Sequence, residues 1–173
     1  DRVALFLSNR VEYLQLMYGV WTAGGIVVPI NHKLHPREAA WMIDNCEARM
    51  VFCETKVVDD LMGEGEPSSS KVIDVDGPKC AELWDADPLS KPVTRAADDL
   101  AWLFYTSGTT GRPKGVMLSN ANLLAMTQSY FIDVDAVTAE DTALYAAPMS
   151  HGAGLYNFVF VMAAARHVIP LSG

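Results

Sequence analysis

The chain carries at residues 105–115 the stretch YTSGTTGRPKG, which directly follows the apolar run 100–104. This stretch combines four serine and threonine hydroxyls, three glycines and one lysine. Glycines let backbone N–H groups approach oxygen atoms closely, hydroxyls add hydrogen bonds, and the lysine adds positive charge. An apolar strand that leads into such a loop predicts a polyphosphate site, although the same composition is also typical of a plain surface turn.

The position of the lysine separates this loop from the common P-loop. In the P-loop, Lys and then Ser or Thr directly follow the second glycine of a G-x-x-x-x-G pattern. Here Lys114 lies between Pro113 and Gly115. The stretch instead resembles the phosphate-loop signature of the adenylate-forming, or AMP-binding, superfamily, which includes acyl-CoA synthetases, luciferases and peptide-synthetase adenylation domains.

Two further blocks extend the resemblance over nearly the whole chain. Residues 21–30 read WTAGGIVVPI and are similar to the superfamily block K-A-G-G-x-x-V-P, with Thr22 where lysine is usual. The glycine pair in this block is also explained structurally, as a helix end that turns into the next strand. Residues 147–154 read APMSHGAG and resemble the block that carries the superfamily's substrate-side histidine.

The resemblance implies ATP, Mg²⁺ and CoA as the small molecules that the protein uses, and it implies a role for each loop residue. Thr106 would lie beside Mg²⁺, and Lys114 would assist the phosphates. The remaining residues implied to hold the β- and γ-phosphates are Ser107, Gly108, Thr109, Thr110 and Gly111. The alternative for Lys114 is a solvated loop lysine, because its side chain is long.

The same resemblance implies that His151 lies near the carboxylate of the acid substrate and the ATP phosphates. Gly152, Ala153 and Gly154 would then border an acyl channel. A lone histidine is more often a packed or surface residue. The position of His151, after a predicted strand end and before two glycines, favours a ligand site, because open α/β sheets bind ligands at such ends.

The function implied by the resemblance is that of an acid–thiol ligase. Such an enzyme uses ATP to convert a fatty or aryl acid to an acyl-adenylate and then transfers the acyl group to CoA, giving acyl-CoA, AMP and pyrophosphate. The alternatives are an adenylation domain that loads a carrier-protein thiol and a non-catalytic nucleotide-binding module. We expect residues 1–173 to be part of the N-terminal AMP-binding domain, with the C-terminal domain outside the sequence, and to be inactive alone.

Apolar segments at residues 3–7, 26–30, 50–53 and 72–75 alternate with helical patterns. This alternation predicts an α/β fold with a mainly parallel sheet flanked by helices. Ser8 or Asn9 is predicted to cap the first helix, and Ser119 a later one. His35 stands before Pro36 where relatives usually have Ser or Thr, and we expect this to weaken the helix cap by about 1 kcal/mol.

The composition, net charge and residue spacing of the chain argue against several classes of protein. A chain of 173 residues with 50% hydrophobic content can form one domain, and its net charge of −8 argues against binding to nucleic acid or anionic membranes. The three cysteines share no C-x-x-C spacing and the histidines form no metal-ligand pattern, which favours a reducing cytoplasm. The longest apolar stretch, residues 153–165, is too short for a transmembrane span.

Overall fold

The computed structural model describes residues 1–63, 70–107 and 112–170. In these ranges the strands are β1 (Arg2–Leu7), β2 (Ile26–Asn31), β3 (Met50–Cys53), β4 (Lys71–Asp74), β5 (Leu100–Thr106), β6 (Lys114–Ser119), β7 (Thr142–Leu144) and β8 (Arg166–Val168). The helices are α1 (Val11–Thr22), α2 (Pro36–Asn45), α3 (Thr55–Gly63), α4 (Pro78–Trp84), α5 (Asn120–Asp133), α6 (Gly152–Leu155) and α7 (Asn157–Met162). Among these described helices, none is long and apolar enough to cross a membrane.

The main sheet has six strands in the order β4-β3-β1-β2-β5-β6. Every neighbouring pair is parallel except β5 and β6, which are antiparallel and joined by the glycine-rich loop. Strands β7 and β8 form a separate parallel pair. The predicted α/β fold with a mainly parallel sheet is therefore confirmed.

Helices cover both faces of the main sheet, which explains the continuous apolar run of β1. Leu5 and Leu7 pack in one core with Met17 of α1. Ala4 and Phe6, which alternate with them, pack in a second core with Ile43 of α2. The strand is thus fixed between two apolar layers, and its carboxyl end is held at a defined position.

The glycine pair at the end of α1 has the structural role that the sequence indicated. Gly24 has a φ of +76°, a left-handed conformation that favours glycine. Its N–H donates to the carbonyl oxygen of Trp21 at 2.9 Å, and the N–H of Gly25 donates to that of Val20 at 2.8 Å. These two bonds form the Schellman motif, which ends the helix and directs the chain into β2.

The prediction for the start of α1 is wrong. Arg10, not Ser8 or Asn9, occupies the N-cap position of α1, and its guanidinium bonds Glu12 and Asp76. At α2, the imidazole Nδ1 of His35 accepts a hydrogen bond from the Arg37 N–H at 3.2 Å. A ring nitrogen thus takes the place of the usual hydroxyl oxygen, and His35 caps α2. The smaller strength expected of this cap stays a prediction.

The cap of α5 is as predicted, since Ser119 Oγ accepts from the Asn122 N–H at 3.2 Å. Towards the end of the chain, Tyr156 separates the short helices α6 and α7, and the strands β7 and β8 have three residues each.

Candidate active site

A pocket of about 470 Å³ lies at the carboxyl ends of β2 and β5. Helix α2 forms one wall, and the segment just before α6 forms another. The lining residues are Pro29, Ile30, Asn31, Leu34, Glu38, Met42, Phe104, Tyr105, Thr106, Ser107, Arg112, Pro113, Ser150 and His151. The carboxyl ends of parallel strands are where open α/β sheets bind ligands, so the pocket is the candidate active site.

The structure places Thr106 and Ser107 in the wall of this pocket. Thr106 is the last residue of β5, and its side chain is exposed. Ser107 follows it, and Arg112 and Pro113 return on the other side of the loop. The predicted phosphate contacts of Gly108, Thr109, Thr110 and Gly111 lie outside the described residues.

Lys114 belongs to β6 rather than to the loop. It pairs directly with Thr106 across the antiparallel β5–β6 ladder. Residues that face each other in such a pair project from the same face of the sheet, with Cβ atoms about 5 Å apart. The exposed Lys114 side chain therefore starts beside Thr106, at the edge of the pocket rather than in its lining.

His151 lies across the pocket mouth at the start of α6, with its ring against Phe104 of β5. The two ring centroids are 5.7 Å apart and the ring planes are nearly perpendicular, at 82°. The Nδ1 atom of His151 is 3.0 Å from Oγ of the buried Ser150. Because Phe104 and Thr106 project from the same face of β5, His151, Thr106 and Lys114 converge on one face of the sheet.

The three residues after His151 differ in their surroundings. A Cβ atom on Gly152 would meet nothing within 4 Å in the described structure, so this position is open. Ala153 packs against the core, and Gly154 is buried. A Cβ atom on Gly154 would overlap the carbonyl oxygen of Met149, which explains why glycine is needed there.

Sequence reasoning missed a residue that holds the segment in front of His151. Asn9, two residues after the end of β1, donates from Nδ2 to the carbonyl oxygens of Tyr145 at 3.0 Å and Ala147 at 2.8 Å. Its Oδ1 accepts from the Met149 N–H at 2.8 Å. In the sequence, Asn9 is an amide side chain two residues after a buried strand, a position that also fits the predicted helix cap.

Glu54 fixes Ser8, the residue before Asn9. Its Oε1 accepts from the backbone N–H of Ser8 at 2.9 Å and also from the Ser8 hydroxyl, and its Oε2 lies 2.7 Å from Lys56 Nζ. Burial alone would raise the pKa of this carboxyl, but the bonds from Lys56 and Ser8 outweigh burial and lower the pKa to about 2. Glu54 is therefore a structural anion at the carboxyl edge of the sheet.

Tyr105 forms the floor of the pocket on the α2 side. Its hydroxyl donates to Asn45 Oδ1 at 2.6 Å, and burial raises its pKa to about 12. This phenol stays neutral near pH 7 and tethers β5 to α2.

The described residues contain no group of three or more His, Cys, Asp or Glu side chains placed to hold a metal ion. Mg²⁺ in nucleotide sites is commonly held by one or two protein oxygens together with phosphates of the substrate. The exposed Thr106 hydroxyl in the pocket is compatible with such a site, in which the nucleotide supplies most of the ligands.

The parallel sheet, the glycine-rich loop and the histidine at the pocket mouth are the features of a nucleotide-dependent enzyme. Residues 1–172 match the AMP-binding enzyme family, and the chain belongs to this family. It is 30% identical over 164 residues to the long-chain-fatty-acid–CoA ligase FadD13 of Mycobacterium tuberculosis, a match that covers 92% of this chain and 32% of the relative. It is 29% identical to the medium-chain fatty-acid–CoA ligase of Escherichia coli K12, covering 92% of this chain and 31% of that enzyme.

Solved structures show the same fold. ATP-bound MatB from Rhodopseudomonas palustris superposes with a TM-score of 0.86 at 31% identity, covering 99% of this chain and 35% of MatB. The chain thus spans about a third of the length of the curated relatives that it matches.

Proposed function

We propose that this chain forms the phosphate-binding and acid-binding part of an enzyme that activates a fatty or aryl acid with ATP and transfers it to CoA. The observation that carries this proposal is the convergence of Thr106, Ser107 and His151 in one pocket at the carboxyl edge of the sheet. The comparisons support the proposal, because the chain belongs to the AMP-binding enzyme family and CoA ligases are among its relatives.

In the first step, a carboxylate oxygen of the acid attacks the α-phosphorus of ATP. The bond from that phosphorus to the oxygen bridging to the β-phosphate breaks, and the electron pair leaves with pyrophosphate. Ser107 donates a hydrogen bond to the β- and γ-phosphates, together with Gly108, Thr109, Thr110 and Gly111 of the loop, while Thr106 lies beside Mg²⁺. Lys114 adds positive charge beside Thr106. Donors fixed where negative charge develops stabilise the transition state without having to reorganise.

His151 orients the acid for this attack. Its Nδ1 is engaged by Ser150, so Nε2 is the ring nitrogen available to the substrate carboxylate. Mg²⁺, with the Thr106 hydroxyl as a protein ligand, would neutralise phosphate charge when it is bound. Gly152 leaves open space after His151, and we assign Gly152, Ala153 and Gly154 to the border of the acyl channel.

In the second step, a thiol sulfur attacks the acyl carbon, the bond from that carbon to the AMP oxygen breaks, and AMP leaves with the electron pair as the thiol loses its proton to solvent. Relatives named as CoA ligases favour CoA over a carrier-protein thiol as the acceptor, and favour an enzyme over a binding module. We also propose a cytoplasmic location, because the three cysteines are free and buried.

The test is acid-dependent exchange between ATP and pyrophosphate in a polypeptide of the relatives' full length that contains these 173 residues. We expect Thr106→Ala and Lys114→Ala each to lower exchange at least about tenfold, since each removes a contact used in the transition state. The control Lys91→Ala changes an exposed lysine that does not line the pocket and should keep full exchange. Wild-type exchange in both site variants would refute the assignment.

A further inference from the structure

Asn9 makes one contact to each of three backbone groups in the segment that leads to His151. The three bonds, at 3.0, 2.8 and 2.8 Å, cross from the end of β1 to residues 145–149. We propose that Asn9 is a positioning residue that fixes the His151 imidazole relative to the phosphate loop.

The bonding pattern requires an amide at this position. Two N–H donors of Nδ2 serve two carbonyl oxygens, and the single Oδ1 acceptor serves one backbone N–H, so each side of the amide matches its partners. Asp would place a carboxylate oxygen against two carbonyl oxygens. Ala would leave all three backbone groups without the side chain, and this is costly for the Tyr145 and Met149 groups, whose bonds are partly buried.

Asn9 is itself held firmly. The preceding residue, Ser8, is bound through its backbone N–H and its hydroxyl by the buried carboxylate of Glu54. Leu7, one residue earlier, is fully inside the core. The amide of Asn9 therefore extends from a rigid strand end, which is what a positioning contact needs.

The path from Asn9 to the imidazole is short and buried. Met149, whose N–H is bound by Asn9, is fully buried, and its carbonyl oxygen packs against Gly154. Ser150 is also buried and places its Oγ 3.0 Å from Nδ1 of His151. The ring then contacts Phe104 on β5, the strand that ends in Thr106. Asn9 thus determines the position of the histidine relative to the loop that follows β5.

The direct test is independent of catalysis. The ring-proton NMR shifts of His151 depend on its contact with Phe104, and His151→Gln identifies these signals among the four histidines. Phe104→Leu gives the shifts of the ring without that contact. We expect Asn9→Ala to move the His151 signals from their wild-type positions toward those of Phe104→Leu.

Asn120→Ala is the matched control. In the wild type, Nδ2 of Asn120 also donates to two backbone carbonyl oxygens, those of Ala96 at 2.9 Å and Asp99 at 3.3 Å. These bonds lie at the opposite end of β5 from the pocket. We expect this variant to keep the His151 signals in place. Unchanged His151 shifts in a folded Asn9→Ala chain would overturn the proposal, as would an equal displacement in both variants.

A measurement on the wild-type chain covers the case in which Asn9→Ala does not fold. The Met149 N–H is bonded by Asn9, and we expect its hydrogen exchange to be at least about tenfold slower than in an unstructured peptide. Rapid exchange of this amide in the folded chain would show that the hydrogen bond from Met149 to Asn9 is not formed, and the proposal would fail.

The consequence for activity rests on the proposed function. In an active full-length polypeptide, Asn9→Ala should lower kcat for adenylation while the KM for ATP changes little, because the phosphate contacts lie on β5 and its loop. An inactive wild-type polypeptide would count against the proposed function alone, since the NMR and exchange results would still decide the role of Asn9.

Discussion

Glu54 is a buried carboxylate whose charge is part of the fold. It bonds Ser8 and Lys56, and its pKa is lowered from 4.5 to about 2. A carboxylate with a lowered folded-state pKa stabilises the fold at pH values above its unfolded-state pKa. That contribution is lost as the pH falls from about 4.5 toward 2.

We therefore expect Glu54→Gln to reduce the acid sensitivity of the protein. The wild type should lose about 3 kcal/mol more unfolding free energy between pH 5 and pH 2 than the variant, since one pKa unit corresponds to about 1.4 kcal/mol. Urea unfolding across this range measures the difference. Glu82→Gln makes the same change of charge at an exposed helix position and should retain the wild-type slope. Parallel slopes for wild type and Glu54→Gln would contradict the expectation.

Gly154 and Gly152 form a second pair for comparison within one short helix. Gly154→Ala should lower the free energy of unfolding by about 1–3 kcal/mol, because the new methyl group overlaps the Met149 carbonyl oxygen. Gly152→Ala should change it little, since the added methyl meets nothing within 4 Å in the described structure. Thermal or urea unfolding of the two variants checks this. Equal stabilities would show that the backbone at Met149 relaxes to accept the methyl group.

At the scale of elements, helix α2 shows how an unusual residue can meet the requirement of a cap. His35 accepts from the Arg37 N–H through Nδ1, and its own N–H donates to Glu38 Oε2 at 3.3 Å. We expect His35→Ala to lower the free energy of unfolding by about 1 kcal/mol, and His35→Asn to retain most of it because an oxygen acceptor replaces Nδ1. Urea unfolding measures both. A His35→Ala variant as stable as the wild type would mean that solvent replaces the cap at no cost.

The first helix shows the limit of sequence patterns. Ser8 and Asn9 are preferred N-cap types, and local rules placed them there. In the structure their side chains bond Glu54 and the segment 145–149, which lie far along the chain. Local propensity could not anticipate these partners, because tertiary contacts decide between a cap and a long-range bond.

At the scale of the whole molecule, the parallel part of the sheet was predictable because the segments that form β1 to β4 are apolar and alternate with helical patterns. The carboxyl edge followed from the same pattern, since parallel strands end at one side. The position of Thr106 in the candidate site could be predicted from the loop motif. The hydrogen bonds from Asn9 to the segment before His151 could not. Asn9 and Met149 are 140 positions apart, and only the folded sheet brings them together.

The last prediction concerns the chain as a unit. We expect the 173 residues alone not to form acyl-CoA, although they carry the phosphate loop and His151. The 173 residues match only about a third of the length of the CoA ligases among their relatives, and we expect groups outside this third to take part in adenylation. Groups that act together in catalysis can cost roughly 10⁶-fold in rate when several are removed.

The measurement is incubation of the purified chain with ATP, Mg²⁺, CoA and a panel of fatty and aryl acids, followed by mass spectrometry for AMP and thioester. A polypeptide of the relatives' full length that contains these residues is the positive control, and its turnover sets the scale. Weak ATP binding by the 173 residues is compatible with the expectation, because Thr106, Ser107 and Lys114 are present. Turnover comparable to the control would mean that the groups needed for adenylation lie within this chain, and that the roles assigned to its pocket residues are incomplete.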